Sequence, residues 1–270
     1  MIESMQFESI QYTDLDQLKV FEPPNWGDLV PRFRYHIDSN FCDPVKLSIA
    51  GKIVAIGTVI FHKDSAWLAS IIVHPDERNQ GYGNKITTHL INSVDKKKYT
   101  TIYLDATDLG FPVYQKIGFE LETNYAHLRT EANISGLNLS EIIIPYEDKY
   151  RSEIIQLDKD ISCENREDTI TENILTSKLF VQAGKVEAVF FPSLGNGLII
   201  ANNDHAGIEL VKYRLENNYY AILPSDNVST IDFLKQSGLV QFRISRRMFI
   251  GKKRPWKAAS IYNRISGQLG

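Results

Sequence analysis

The sequence predicts an α/β protein built on a mixed sheet, arranged as two units of similar architecture. Three observations carry this. Short runs rich in Val, Ile and aromatic residues alternate with segments of helical periodicity along the 270 residues. Three of the runs follow one another with only tight turns between them, which makes them antiparallel, whereas later runs alternate with helices. Finally, the stretch LDATDLGFPVYQKIGF (104–119) has a counterpart of equal length in PSDNVSTIDFLKQSGL (224–239). Each is a strand end, a polar turn and a helix stopped by a glycine and a large apolar residue.

Taken in order, MQFESIQYT alternates weakly and predicts a first strand. DLDQLKVF predicts a helix capped by Thr13 or Asp14, and EPPNWGDL breaks it. PRFRYHIDSN predicts a second short helix. KLSIA, KIVAIGTVIFH and AWLASIIVH are strands joined at GK and KDS. In GNKITTHLINSVDKK, Ile86, Leu90 and Ile91 share one helix face. YTTIYLDAT is a strand, FPVYQKIGF a helix closed by Gly118, and ELETNYAHLRT a last strand. The polar stretch EANISGLNLS suits a linker, which places the units at 1–132 and 141–270. Beyond it come helices at YRSEIIQLDKDI and EDTITENILTSK and strands within KLFVQAGKVEAVFFPS and NGLIIAN. A helix at DHAGIELVKYRLEN, a strand at YYAILP, a helix at TIDFLKQSG and a strand at LVQFRISRRMFI complete the chain.

Composition narrows the function. The net charge is −3, so no general electrostatic pull toward nucleic acid or membrane is expected. The basic run RISRRMFIGKKRPWK (243–257) reads as a solvated face. Two distant cysteines, Cys42 and Cys163, make neither a disulfide framework nor a zinc spacing, and no metal site is expected. No apolar run approaches the ~20 residues that span a bilayer. The Met1 end has no basic segment followed by an apolar one. A cytoplasmic protein is expected, a monomer or homodimer without membrane or nucleic-acid partners.

The chemistry concentrates in VHPDERNQGYGNK (73–85), between a strand and a helix. The first amides of a helix have no intrahelical partner, and with the helix dipole they seat an anion. Gly81 and Gly83 stand where that helix begins and let a phosphate approach the backbone. The loop is neither a Walker loop, which needs Lys-Ser/Thr after its last glycine, nor the dinucleotide fingerprint of a parallel βαβ unit.

VHPDERNQGYG resembles the acetyl-CoA-binding motif of the GNAT N-acetyltransferases, Val-x-Pro followed by Arg/Gln-x-x-Gly-x-Gly/Ala. The second signature of that family, Tyr-x-x-x-Gly-Phe after a strand, follows in LDATDLGFPVYQKIGFE. This resemblance covers about residues 1–130. The details 104–119 and RRMFIG…PWKAASIYNRISGQLG further resemble two-domain GNAT proteins with a C-terminal YitH-like domain. The fold so implied is a tandem of GNAT-like domains, the first with its acetyl-CoA motif intact and the second degenerate. In the second, ANNDHAGIEL replaces the phosphate loop and Leu234 stands where the first has Tyr114.

The resemblance implies roles residue by residue. The sheet splays beside the strand 67–73, and backbone groups of Ile71 and Val73 pair with the pantetheine arm of acetyl-CoA. The amides of Asn79, Gln80, Gly81, Tyr82, Gly83 and Asn84 hold the pyrophosphate, helped by Arg78. Thr107 stands where many members carry a cofactor-touching asparagine. Tyr114 protonates the leaving thiolate after an amine attacks the thioester directly. The strand offers no carboxylate as base, which leaves Asp105, His74 or water chains. Trp26 in PPNWGD is a candidate acceptor wall, and Tyr35 in the next helix a second. The acceptor is expected to be a small-molecule primary amine. The rival reading is a non-catalytic acyl-CoA sensor or interaction protein.

Overall fold

The computed structural model describes residues 5–23, 27–132, 134, 137 and 142–269. Trp26 and most of the linker therefore lie outside the described residues. Strand β1 (Met5–Ser9) leads into a 3-10 helix at Tyr12–Phe21 and then α1 (Leu29–Asp38). Neither Thr13 nor Asp14 caps the first of these. Gln11 is its N-cap, and the Asp14 carboxylate accepts the Gln11 amide at 2.8 Å from one turn inside. In α1 the Asp28 side chain accepts from the Val30 amide, a cap that holds the helix entry.

The meander follows as β2 (Cys42–Ile49), β3 (Lys52–Phe61) and β4 (Ala66–Val73), all antiparallel. Then come α2 (Tyr82–Ser93), β5 (Thr101–Ala106), α3 (Phe111–Ile117) and β6 (Glu120–Arg129). The second half contributes β7 (Ile143–Pro145), α4 (Arg151–Ser162), α5 (Glu167–Asn173), β8 (Lys178–Gln182), β9 (Lys185–Phe191) and β10 (Leu198–Ala201). It ends with α6 (Asp204–Leu215), β11 (Tyr220–Pro224), α7 (Val228–Gln236), β12 (Val240–Gly251) and β13 (Ile261–Asn263).

Two sheets result, and the halves of the chain share the larger one. Its order is β1-β2-β3-β4-β5-β12-β6-β11; the smaller runs β13-β10-β9-β8-β7. Strand β12 inserts between β5 and β6, antiparallel to both, so a strand from the second half completes the first sheet.

The central strands of the large sheet are covered on both faces, which explains their nearly continuous apolar runs. On one face Leu68, Leu104 and Met248 pack against Ile86, Leu90 and Ile91 of α2 and Phe119 beyond α3. The opposite face carries Trp67, Tyr103, Asp105, Tyr125, Ser245 and Arg247, the alternate residues of their strands. Phe33 and Leu29 of α1 and the 3-10 residues Leu18 and Phe21 cover its β3–β4 end.

The basic run does not lie on a solvated face throughout. Arg247 is 1% exposed and Arg254 is buried. The Arg247 guanidinium bonds Glu122, reaches Glu164 at 3.2 Å, and lies 4.2 Å from the ring centres of Tyr103 and Trp256. Burial alone would raise the Glu164 carboxyl, but Arg247, His62 and Arg166 bring it down to about 2.

Candidate active site

The site begins where two parallel strands part. β4 and β5 pair only over Ala66↔Ile102, Trp67↔Tyr103 and Leu68↔Leu104, and then diverge. The break coincides with a bulge: Ser70 takes φ +51, opposite a register shift at Gly57 on β3. At the end of β4 the His74 amide bonds back to Val54 of β3 at 2.9 Å. Alternation along a strand then turns the amides of Ile71 and Val73 the other way, into the gap.

Past Val73 the chain makes a short 3-10 turn at Pro75–Glu77 and enters α2 through Gly81. Gly81 sits at φ +81, a left-handed conformation that favours glycine. The helical ladder is under way when the Lys85 amide bonds Gly81 C=O at 3.1 Å. Among the described residues the amides of Asn79 to Asn84 find no acceptor, and Gly83 has only Val73 Cγ2 within reach, 3.6 Å from where a Cβ would stand. Glu77 holds Lys52 at 2.7 Å, while Arg78 is exposed and in no ion pair among the described residues. The result is an exposed helix N-terminus flanked by the Arg78 guanidinium, which is how a phosphate seat is built.

Thr107 ends β5. Its Oγ1 accepts the Gly110 amide at 3.2 Å and fixes the turn into α3, leaving the hydroxyl proton free to donate. Tyr114 projects from α3 over Gly110, where a Cβ would come within 2.7 Å of its ring, and meets Phe119 edge-on. Its phenol has no hydrogen-bond partner among the described residues. Burial raises its pKa above the ordinary 10.0, and the charge of Asp105 adds to the effect.

The two named base candidates are both engaged. His74 accepts the Asp76 amide on Nδ1 at 3.2 Å and packs edge-on against Phe21, so it caps a turn beneath the first helices. Asp105 receives Arg264 at 2.6 Å and the Ser245 hydroxyl at 3.0 Å, both on Oδ2. Tyr35 is 50% exposed on α1. Its neighbour His36 faces inward instead, bonded to Thr58 on Nδ1 and Gln268 on Nε2, and burial lowers it to about 4.

The corresponding junction in the second half is filled by the chain. In chain order β10, α6 and β11 follow one another as β4, α2 and β5 do, with β10 and β11 in different sheets. Between β10 and β11 lies β13, paired to Ile199 and Ile200 on one side. On the other side Asn263 Oδ1 accepts the Ile222 amide at 2.9 Å, and the Arg264 amide bonds Ile222 C=O at 2.8 Å. Tyr262 lies against Gly207 of α6 and donates to Asp204 at 2.7 Å.

Residues 44–121 match the family model for the acetyltransferase (GNAT) domain. The matched segment is less than a third of the chain. It contains the diverging strands, the glycine loop and Tyr114. A stretch of 81 residues is 30% identical to the [ribosomal protein bS18]-alanine N-acetyltransferase of Escherichia coli K12. That stretch is 29% of this chain and 55% of the relative, so the chain spans about half the length of the curated relatives it matches. Over nearly its whole length the fold resembles a Pyrococcus horikoshii chain assigned as an acetyltransferase, with TM-score 0.81, 17% identity, and 98% and 96% of the two chains covered. It also resembles a tandem GNAT protein of the clavulanic acid biosynthesis pathway, with TM-score 0.58, 12% identity, and 92% and 98% covered. At these identities the likeness concerns the fold. Beyond the matched segment, the fold of the whole chain is thus shared with a tandem GNAT protein.

Sequence reasoning missed the groups on the far side of the gap: Arg264, Ser245, His127 and Tyr125. They come from strands and a tail more than a hundred residues apart, and no local pattern marks them.

Proposed function

We propose that this chain is an acetyl-CoA-dependent N-acetyltransferase acting on a primary amine of a small molecule. One observation carries the reading. The gap between β4 and β5 exposes two strand amides, Ile71 and Val73, and runs directly into the unpaired amides of Asn79 to Asn84. A pantetheine arm would pair with the first pair, and a pyrophosphate would sit on the second group beside Arg78.

The acceptor nitrogen, its ammonium proton first lost to solvent, attacks the thioester carbonyl, the carbon–sulfur bond breaks, the leaving sulfur takes a proton from Tyr114, and the proton that the nitrogen sheds on forming the amide returns through water to the Tyr114 oxygen. The raised pKa of Tyr114 keeps its proton in place until that moment. The Val73 amide would stabilise the oxyanion. The second unit does not bind the cofactor in this reading, because β13 takes the strand edges an acyl arm would use. Asp204 also puts negative charge at the start of α6. A small acceptor is favoured because residues 264–269 and the second half cover the face of the gap opposite Tyr114.

Calorimetry with acetyl-CoA, followed by an amine library assayed for released thiol, tests this. One equivalent bound and turnover that falls in Tyr114→Phe supports it. One equivalent bound, with no amine turned over, favours the acyl-CoA sensor. No binding at all overturns both.

A further inference from the structure

The face of the sheet opposite Tyr114 holds buried polar atoms that are unpaired among the described residues. Asp105 follows Leu104, the last residue paired to β4, so its side chain stands at the point of divergence. Its Oδ2 is fully used by Arg264 and Ser245, yet its Oδ1 has no partner. Arg264 spends Nη1 on that carboxylate and lies 4.4 Å from the Tyr125 ring centre, while its Nε has no partner either. The Tyr125 hydroxyl oxygen faces the Arg247 guanidinium, and its proton has no acceptor among the described residues. The side chains of Asp105 and Arg264 are 8% and 5% exposed. Ser245 has a single proton and gives it to Asp105, so His127 must donate to the Ser245 oxygen from Nε2, 2.9 Å away. The row His127–Ser245–Asp105–Arg264 is thus fixed, and its free valences are one carboxylate oxygen, one guanidinium N–H and one phenol proton.

The chain itself covers these atoms. Gly267 lies over Asp105, where a Cβ would come within 3.0 Å of Oδ2. Gln268 holds His36 of α1 at 3.2 Å, and Leu269 packs with the cluster around Trp67 and Tyr103. Ile265 is fully buried and its carbonyl accepts the Asn196 amide, so it anchors the tail, whereas residues 266–269 are only partly buried and are tied further by Arg166, which donates to the Leu269 carbonyl at 3.4 Å.

We propose that the acceptor is a compact zwitterion of the free amino-acid type, its ammonium on Asp105 Oδ1 and its carboxylate on Arg264 Nε and the Tyr125 hydroxyl, admitted when residues 266–269 lift about the anchored Ile265. This rests on the acetyltransfer reading for the reaction but not for the site. A lone cation would meet the charge of Arg264, and a lone anion that of Asp105. A molecule carrying both charges satisfies both orphans. Lifting residues 266–269 also frees room for a small molecule rather than a folded protein.

The test uses the full chain and matched probes: alanine, ethylamine and propionate, and the corresponding sets for larger amino acids. Binding is read by calorimetry, the state of the tail by hydrogen exchange at 266–269, and acetyl-CoA binding separately. At least one amino acid should bind tenfold more tightly than its amine and its acid, and should speed exchange in the tail. Arg264→Gln should abolish the preference over the amine. If that variant does not fold, Gln268→Ala keeps the proposal testable. It leaves both charges in place and removes one tie on the tail, so amino-acid affinity should rise about two- to tenfold. Amines binding as well as amino acids, no probe binding, or weaker binding in Gln268→Ala would each overturn the proposal. Amino-acid binding without acetyl-CoA binding would support the site and refute the acetyltransfer reading. Acetyl-CoA binding without amino-acid binding would do the reverse.

Discussion

Tyr114 and Leu234 hold the same place in two copies of one motif. The Tyr114 carbonyl accepts the Phe119 amide at 3.0 Å, and the Leu234 carbonyl accepts the Leu239 amide at 3.0 Å. The glycine before each acceptor turn is left-handed, Gly118 at φ +107 and Gly238 at φ +90. The backbones match, but the side chains do not share an environment. Tyr114 borders the open gap with an unpaired phenol, whereas Leu234 is fully buried in the core of the second unit. Replacing Tyr114 by Phe removes one hydroxyl and keeps the ring over Gly110. The expected result is a kcat lower by about 10²–10⁴, the usual worth of a positioned proton donor, with acetyl-CoA affinity unchanged. Steady-state kinetics beside calorimetry checks this.

The proposed pyrophosphate seat predicts a clean binding defect. A side chain at Gly83 has space in the free protein, since only Val73 Cγ2 is near. Gly83→Glu should therefore keep its thermal stability while placing a carboxylate among the unpaired amides. Acetyl-CoA binding should fall from one equivalent per chain to none detectable. A stoichiometry of two in the wild-type chain would show that β13 does not close the second junction.

The parts that were legible in the sequence are local. The meander, α2, α3 and the left-handed Gly118 follow from periodicity and turn residues within a few positions of one another. The exposed N-terminus of α2 with its left-handed Gly81 reads for the same reason, because it is a feature of the backbone and glycine spacing reports the backbone. The three-residue strands β7 and β13 are too short to show a period. The insertion of β12 depends on pairing with β5 and β6 across more than a hundred residues. Arg247 looked like part of a solvated basic run because its carboxylate partners, Glu122 and Glu164, lie 125 and 83 residues away. The acceptor side was hidden for the same reason: Asp105 and Arg264 are 159 residues apart.

Arg247 predicts how firmly the two halves are joined. It is buried on β12 between Glu122 of the first half and Glu164 of the second. Arg247→Met keeps much of the volume but leaves buried Glu122 without its ion-pair partner and Glu164 without the largest of the cationic influences on it. Breaking a buried pair in this way costs about 3–5 kcal/mol. Urea denaturation should show a midpoint lowered accordingly, and Glu122→Gln added to Arg247→Met should recover part of the loss. A midpoint unchanged by Arg247→Met would mean that ring contacts, rather than charge pairing, hold this junction.

His36 predicts a pH dependence of stability. It is 1% exposed, and burial lowers its pKa from 6.5 to about 4. Its bonds fix the neutral tautomer: Nδ1 accepts from the Thr58 hydroxyl, and Nε2 donates to Gln268 Oε1. The folded state therefore takes up a proton later than the unfolded state as pH falls. Its contribution is fully present above pH 6.5 and is lost progressively as pH drops through 4. A shift of that size corresponds to on the order of 3 kcal/mol at most. His127, lowered by burial and Arg264 to about 3, adds to the slope in the same direction. Melting curves between pH 7 and pH 4 should show the wild-type chain losing stability steadily, and His36→Gln should flatten part of that slope while lowering stability at pH 7. Because His36 holds Gln268, the same variant should loosen residues 266–269, and hydrogen exchange there should quicken at pH 7. A slope unchanged in His36→Gln would assign the acid sensitivity to His127 and the carboxylates instead.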